Sequence, residues 1–218
     1  MFNGSCYTNI LPTTAYQKLS SGFYNRPDVL TIARELLGKI IVTKFDGELT
    51  AARIVETEAY AGVIDKASHA YGGRRTARTE VIYHKGGVAY VYLCYGIHQL
   101  FNIVTNKVDI PHAILIRGAE PLAGIPVMLR RTGKKVADFT LTRGPGNVSK
   151  ALGITTRHTG ESLLEDAFYL ASDGFVPAEE DIIATPRIGV DYAGADALLP
   201  YRFIIRNNKY VSGKPIKK

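Results

Sequence analysis

The sequence is poor in cysteine: its two, Cys6 and Cys94, stand far apart in 218 residues and form no CxxC pair. A disulfide framework and a zinc ribbon are thereby excluded, and a reducing cytoplasm is the expected compartment. The five histidines, His69, His84, His98, His112 and His158, are scattered, with no HExxH and no HxE followed by PCxxC. Zinc-dependent hydrolysis and deamination lose their ligand sets. No Walker loop occurs, and Gly62, Gly72 and Gly73 make no dinucleotide fingerprint, which removes the usual handles of NTP hydrolysis and hydride transfer. No repeat, low-complexity block or flexible linker divides the chain, so one domain is expected. The opening MFNGSCYTNILPTTAYQKL lacks the basic segment, apolar stretch and cleavage site of a secretory signal, and export is not expected.

Long apolar runs are missing too. The interval between Lys85 and Lys107 holds no Lys, Arg, Asp or Glu, but Gly86, Gly87, Gly96, His98, Gln99, Asn102 and Asn106 interrupt it. A membrane span needs about 20 mainly apolar residues, so this stretch predicts a buried hairpin and no membrane partner. What is present suits a soluble core: 46% of residues are hydrophobic and 22% charged. A chain of this size buries roughly 70% of its unfolded surface without staples. Lys and Arg number 27 against 20 Asp and Glu, and the net charge of +7 attracts polyanions without naming one.

Along the chain, Pro27 opens a stretch in which Val29, Ile32, Ala33, Leu36 and Leu37 recur at helical spacing, with Gly38 as terminator. Residues 39–45 and 49–60 read as strands around the hairpin dipeptide Asp46-Gly47. A Gly- and Arg-rich loop follows over 62–78. Strands are expected at 88–93, 100–105 and 113–117, with a turn at Gly96 joining the first two. Pro121 is expected to start a helix running to about Arg131, Asn147 to cap a short helix ending near Gly153, and 200–206 to form an edge strand. Strands clustered in the middle with helices around them favour an α+β fold over βαβ alternation.

The densest chemistry lies in Glu56-Thr57-Glu58-Ala59-Tyr60, where alternation puts Glu56, Glu58 and Tyr60 on one strand face, successive members about 7 Å apart. Such a carboxylate can deprotonate water and stabilise an oxocarbenium-like sugar. The same spacing also describes a solvated face whose glutamates pair with Arg53 or Arg117. Tyr90 and Tyr92 share a face, and Tyr95 falls where the chain turns. These rings suit core packing, or a pocket for an extruded base with a wedge at the hairpin tip. The loop Gly72-Gly73-Arg74-Arg75-Thr76-Ala77-Arg78 and the turn Gly144-Pro145-Gly146-Asn147 offer phosphate contacts, or are a solvated basic loop and a plain turn.

Taken in order, RIVETEAY, SHAYGGRRTAR, GGVAYVYLCYG, FNIVT, ILIRGAEPL, RGPGNVSKALGI, RIGVDYAG and PYRFIIRNNKYVS closely resemble the alkyladenine (3-methyladenine, methylpurine) DNA glycosylase family. The resemblance covers most of the chain from about Tyr24. It implies a single domain on a curved, mostly antiparallel sheet with surrounding helices and a protruding β-hairpin, spanning 24–212 between an N-terminal extension (1–23) and a basic tail (213–218). Glu58 matches the general base that activates water, Arg117 an arginine beside that water, and Glu56 a supporting group. Tyr60, His69 and Tyr92 match the residues that stack the flipped base. Asn102 matches the asparagine that screens purines, and Tyr95 the side chain that fills the gap in the duplex. Arg74, Arg75 and Arg78 are the expected backbone contacts. The resemblance implies a monofunctional enzyme of base excision repair, acting on double-stranded DNA with damaged purines. No cofactor or metal is implied, and a monomer is expected in a bacterial-type cytoplasm, at the nucleoid, or in a nucleus. A non-catalytic nucleic-acid binder on the same scaffold and a small-molecule N-ribohydrolase are the alternatives.

Overall fold

A computed structural model describes residues 16–213. The N-terminal extension expected over 1–23 lies outside the described residues as far as residue 15, and the expected tail lies outside them beyond Gly213. The first described elements are a short strand β1 (Gln17–Lys18) and a helical turn α1 (Ser21–Tyr24), which drives the Tyr24 ring into the core.

Helix α2 (Val29–Glu35) begins two residues later than Pro27 suggested. The Asp28 carboxylate accepts from the backbone N–H groups of Leu30 and Thr31 at 2.9 and 3.1 Å, so Asp28 is the cap. Its periodic apolar residues are all buried, and Gly38, at φ +87°, ends the segment in a conformation that favours glycine. Strands β2 (Ile40–Phe45) and β3 (Glu48–Tyr60) form the expected hairpin, with Asp46 and Gly47 both at positive φ.

Three further strands complete the centre: β4 (Ala89–Cys94), β5 (His98–Thr105) and β6 (His112–Ala123). The last is longer than the expected 113–117 and runs through Pro121, where a helix was expected. Pro121 is accommodated at a register shift against Ala51 and Ala52, since a proline that donates no hydrogen bond is tolerated at a bulge. The helix α3 (Ile125–Thr132) starts only after Gly124, whose φ of +73° breaks the strand. Helix α4 (Pro145–Leu152) is capped by Gly144, and Asn147 lies inside it, its amide donating to the Thr140 and Arg143 carbonyls.

Strands β7 (Phe168–Ser172) and β8 (Ile182–Thr185) were not foreseen. The last strand, β9 (Arg202–Ile205), is not an edge: it lies between β8 and β3. The result is one open antiparallel sheet in the order β1-β7-β2-β3-β6-β5-β4, with β9 docking on β3 beyond the end of β2 and carrying β8 outside it. This is an α+β domain. The main core lies between the sheet and α2 and α4, with Ile32, Leu36, Ile54, Phe101, Ile116 and Leu152 fully enclosed. Because β3 has a partner on each side and cover on both faces, nine of its thirteen residues are buried, including two glutamates.

Candidate active site

Thr57 and the glutamates flanking it divide the two faces of β3. The Thr57 hydroxyl donates to the Ala33 carbonyl of α2 at 2.9 Å, so Glu56, Glu58 and Tyr60 point the other way. Two register shifts at Glu56 interrupt the pairing with β6: Glu56 opposes Gly118 and Thr57 opposes Ile116. Arg117 falls in that irregularity, and its guanidinium reaches both carboxylates, Nε to Glu56 Oε1 and Nη1 to Glu58 Oε2, each at 3.3 Å. Gly118 makes room: a Cβ there would stand 2.6 Å from the Tyr210 carbonyl oxygen and 3.0 Å from Glu56 Oε2.

Glu56 and Glu58 expose no surface, which overturns the reading of a solvated strand face; Arg53 pairs instead with Asp173. Around Glu56 the donors are Arg202 Nε (2.7 Å), Ser212 Oγ (2.9 Å), the Ser212 backbone N–H (2.6 Å) and Arg117. Around Glu58 they are the Tyr60 hydroxyl (2.9 Å) and Arg117 on Oε2, and the Ile188 backbone N–H (2.7 Å) on Oε1. Burial raises the Glu58 carboxyl above its ordinary value, outweighing Arg117 and the Ile188 N–H, which act to lower it. Burial alone would weaken the Arg117 charge, but Glu58 and Glu56 reverse this and raise it. The Tyr60 phenol, buried and donating to Glu58, is held strongly in its protonated form.

The Ile188 N–H arrives from a loop that is itself anchored. Arg187, buried, holds Asp65 through two bonds of 2.5 and 2.8 Å, donates to the Ala59 carbonyl and lies 4.8 Å from the Tyr60 ring centre. Arg202, Ser212, Arg187 and Ile188 were not singled out from the sequence. Arg187 and Ile188 fall in the RIGVDYAG segment and Arg202 and Ser212 in PYRFIIRNNKYVS, and nothing in either indicates a bond to a carboxylate 130 or more positions earlier.

Next to this network the expected base-stacking residues converge. The His69 and Tyr92 rings meet edge to face at 4.7 Å, and the Tyr90 and Tyr92 rings lie 5.5 Å apart, tilted by 31°. His69 Nδ1 is 2.9 Å from the Tyr90 hydroxyl, and its pKa falls to about 4, first through burial and then through Arg78 and Arg74, so the ring is neutral at pH 7. Asn102 is buried beneath, its amide oriented by bonds to the Tyr90 and Leu100 carbonyls at 3.2 Å. Tyr60, His69, Tyr92 and Asn102 thus line one cavity of about 30 Å³, room for a water molecule or two and not for a purine. A larger cleft of about 340 Å³ adjoins it, walled by Arg117, Ile188, Tyr95 and the N-terminus of α4 at Gly144 and Gly146.

Tyr95 projects from the β4–β5 hairpin tip, 89% exposed, with φ +50° followed by Gly96 at +73°. A bulky residue held in the left-handed region marks a position where side-chain direction outweighs backbone comfort. The arginines of the 62–78 loop separate. Arg78 lies 5.3 Å from the Tyr92 ring centre at the cavity rim, and Arg74 is exposed nearby. Arg75 is turned away, held by Glu80 and Asp109. Among the described residues no group of three His, Cys, Asp or Glu gathers to hold a metal, and no helix is long and apolar enough to cross a membrane.

Residues 22–209 match the family model described as methylpurine-DNA glycosylase. Similar proteins, each named "Putative 3-methyladenine DNA glycosylase", occur in Desulfitobacterium hafniense (42% identical over 205 residues, 91% of this chain and 100% of that one), Chlamydia felis (43% over 192 residues, 88% and 97%) and Bacillus licheniformis (44% over 199 residues, 91% and 98%).

Proposed function

Because the chain belongs to the methylpurine-DNA glycosylase family, we propose that it flips damaged purines out of duplex DNA and hydrolyses their N-glycosidic bond with water activated by Glu58. The observation that carries this reading is the buried Glu58 carboxyl, raised in pKa and bonded to Tyr60, which lines both the aromatic cavity and the cleft, and to Arg117, which walls the cleft. A carboxylate kept out of water at a cost to folding is a poor choice for a binding module and a good one for a base.

In the proposed reaction Tyr95 enters the duplex where the damaged nucleotide leaves, offsetting part of the few kcal/mol of unstacking. The extruded base stacks among Tyr60, His69 and Tyr92, with Asn102 screening its edge. A purine alkylated at N3 or N7 carries positive charge, which strengthens stacking on the tyrosines and improves the leaving group. The oxygen of a water bonds to the sugar's anomeric carbon while its proton passes to Glu58. The C–N bond breaks, and its electrons leave with the purine. Arg117, shared between both glutamates, holds the Glu58 carboxylate in line and keeps its charge compensated before the proton arrives. Arg78 and Arg74 flank the opening toward phosphates; Arg75 would first have to exchange Glu80 and Asp109 for one. The nucleophile is water, and Lys66, the lysine nearest to Glu58 in sequence and the amine that could otherwise compete, is exposed, so the product is an abasic site in an uncut strand.

The test is incubation with duplexes that each carry one lesion (3-methyladenine, 7-methylguanine, hypoxanthine or ethenoadenine), followed by alkaline cleavage at abasic sites. Strand scission that appears only after alkali is expected. Lesion binding without base release would favour the non-catalytic binder, and free nucleosides cleaved as fast as duplexes would favour the ribohydrolase.

A further inference from the structure

The passage between the cleft and the aromatic cavity is framed by the three residues common to both walls, Tyr60, Tyr92 and Tyr192. Two of them are fixed. Tyr60 lies on β3 with its hydroxyl on Glu58, and Tyr92 lies on β4 packed against Tyr90 and His69. Tyr192 differs. It is 70% exposed, and its hydroxyl makes one bond, 3.1 Å to the carbonyl of Ala67, a residue that lines the cavity. Its neighbours Val190 and Ala193 are buried against Ala67, so the backbone is anchored while the side chain is free to rotate. Behind this ring the cavity holds about 30 Å³, too little for any purine. Something at the opening must move before a base enters, and Tyr192 is the framing group held by the least.

We propose that Tyr192 is a specificity-determining residue, a swinging side chain whose displacement sets the width of base that reaches Glu58. The inference rests on the glycosylase reading and adds a selectivity element to it. The wider the damaged base, the further the ring must turn from Ala67. A three-ring ethenoadenine therefore bears a larger opening penalty than a two-ring hypoxanthine, which bears the same penalty as the parent purines. Replacing Tyr192→Ala removes the ring and the bond together, and Tyr192→Phe removes the bond alone.

The experiment is single-turnover excision from ethenoadenine and hypoxanthine duplexes by the wild type, Y192F and Y192A, together with the fluorescence of the ethenoadenine base, which changes as it stacks in the protein. For Y192A the ratio of ethenoadenine to hypoxanthine excision is expected to rise, with a larger stacked fraction. Y192F removes a bond that every entering purine must break, so it is expected to raise excision of both lesions alike, about two- to tenfold being the scale of one neutral hydrogen bond, and to leave the ratio near that of the wild type. A fall in both rates with an unchanged ratio would overturn the proposal, because it would make Tyr192 a general contact. A fall for ethenoadenine alone would do so too, because the ring would then be a stacking partner. A wild type inert on every lesion would instead remove the glycosylase reading, and this inference with it.

Discussion

Glu56 and Glu58 lie two residues apart on β3, both enclosed and both in contact with Arg117. Glu56 receives donors from β9 and from the chain near Ser212 as well, so both oxygens are engaged by groups that have no other carboxylate to serve. Glu58 shares Arg117 with it and otherwise has one phenol and one backbone N–H. The first arrangement ties distant parts of the chain together. The second leaves a carboxylate under-compensated for its burial, with a raised pKa and capacity to accept a proton. Surroundings rather than residue type or exposure separate an anchor from the carboxylate proposed as the base.

The comparison breaks most visibly at Glu58. Glu58→Gln keeps the shape but removes the proton acceptor. Excision of 3-methyladenine should fall by at least about 10²–10⁴-fold, the range of general-base catalysis, while lesion binding measured by gel shift is largely retained. At Glu56 the expected damage is to folding. Glu56→Gln leaves Arg202 buried without a charge partner, which costs about 3–5 kcal/mol in urea unfolding. If E56Q unfolded like the wild type while losing activity, the two assignments would be exchanged.

A pH series sharpens the contrast. The Glu58 base must be ionised, so excision rises with pH through a limb lying above the ordinary glutamate value of 4.5. Stability moves oppositely. Across that window the native state holds the Glu58 proton and the unfolded chain does not, so this group's contribution to stability declines as pH rises. Thermal unfolding of wild type and E58Q should therefore diverge with pH in favour of E58Q, and parallel curves would place the Glu58 pKa at its ordinary value. The smallest effect is expected at Ser212→Ala. The backbone N–H still reaches Glu56 Oε2, so only the hydroxyl's donation to Glu56 Oε1 and the longer bond it accepts from Arg117 Nη2 are lost, about 0.5–1.5 kcal/mol each in unfolding, with excision changed less than tenfold.

Local signals carried much of this architecture. Asp46-Gly47 encodes its hairpin because the positive φ at both positions suits those residues, and the apolar spacing from Val29 to Leu37 encodes a helix with one buried face. Alternation placed Glu56, Glu58 and Tyr60 on one face, and the Gly96 turn located the projecting Tyr95. Local rules failed where pairing partners decide. Pro121 reads as a helix start, yet a bulge against β3 holds it in a strand; 200–206 reads as an edge, yet β8 covers it.

Residue order alone thus determined the helical and strand periodicities, the turns and the shared face of Glu56, Glu58 and Tyr60, since these depend on neighbours a few positions away, whereas Glu58 was set apart from Glu56 by the family resemblance. Only the tertiary structure decided that both glutamates are buried, that Arg117 lies between them at a bulge, and that Arg202, Ser212 and Ile188 divide their hydrogen bonds unequally. Desolvation and donor count govern a carboxylate's proton affinity, and both are set by groups up to 156 positions away that meet it only once the sheet has assembled.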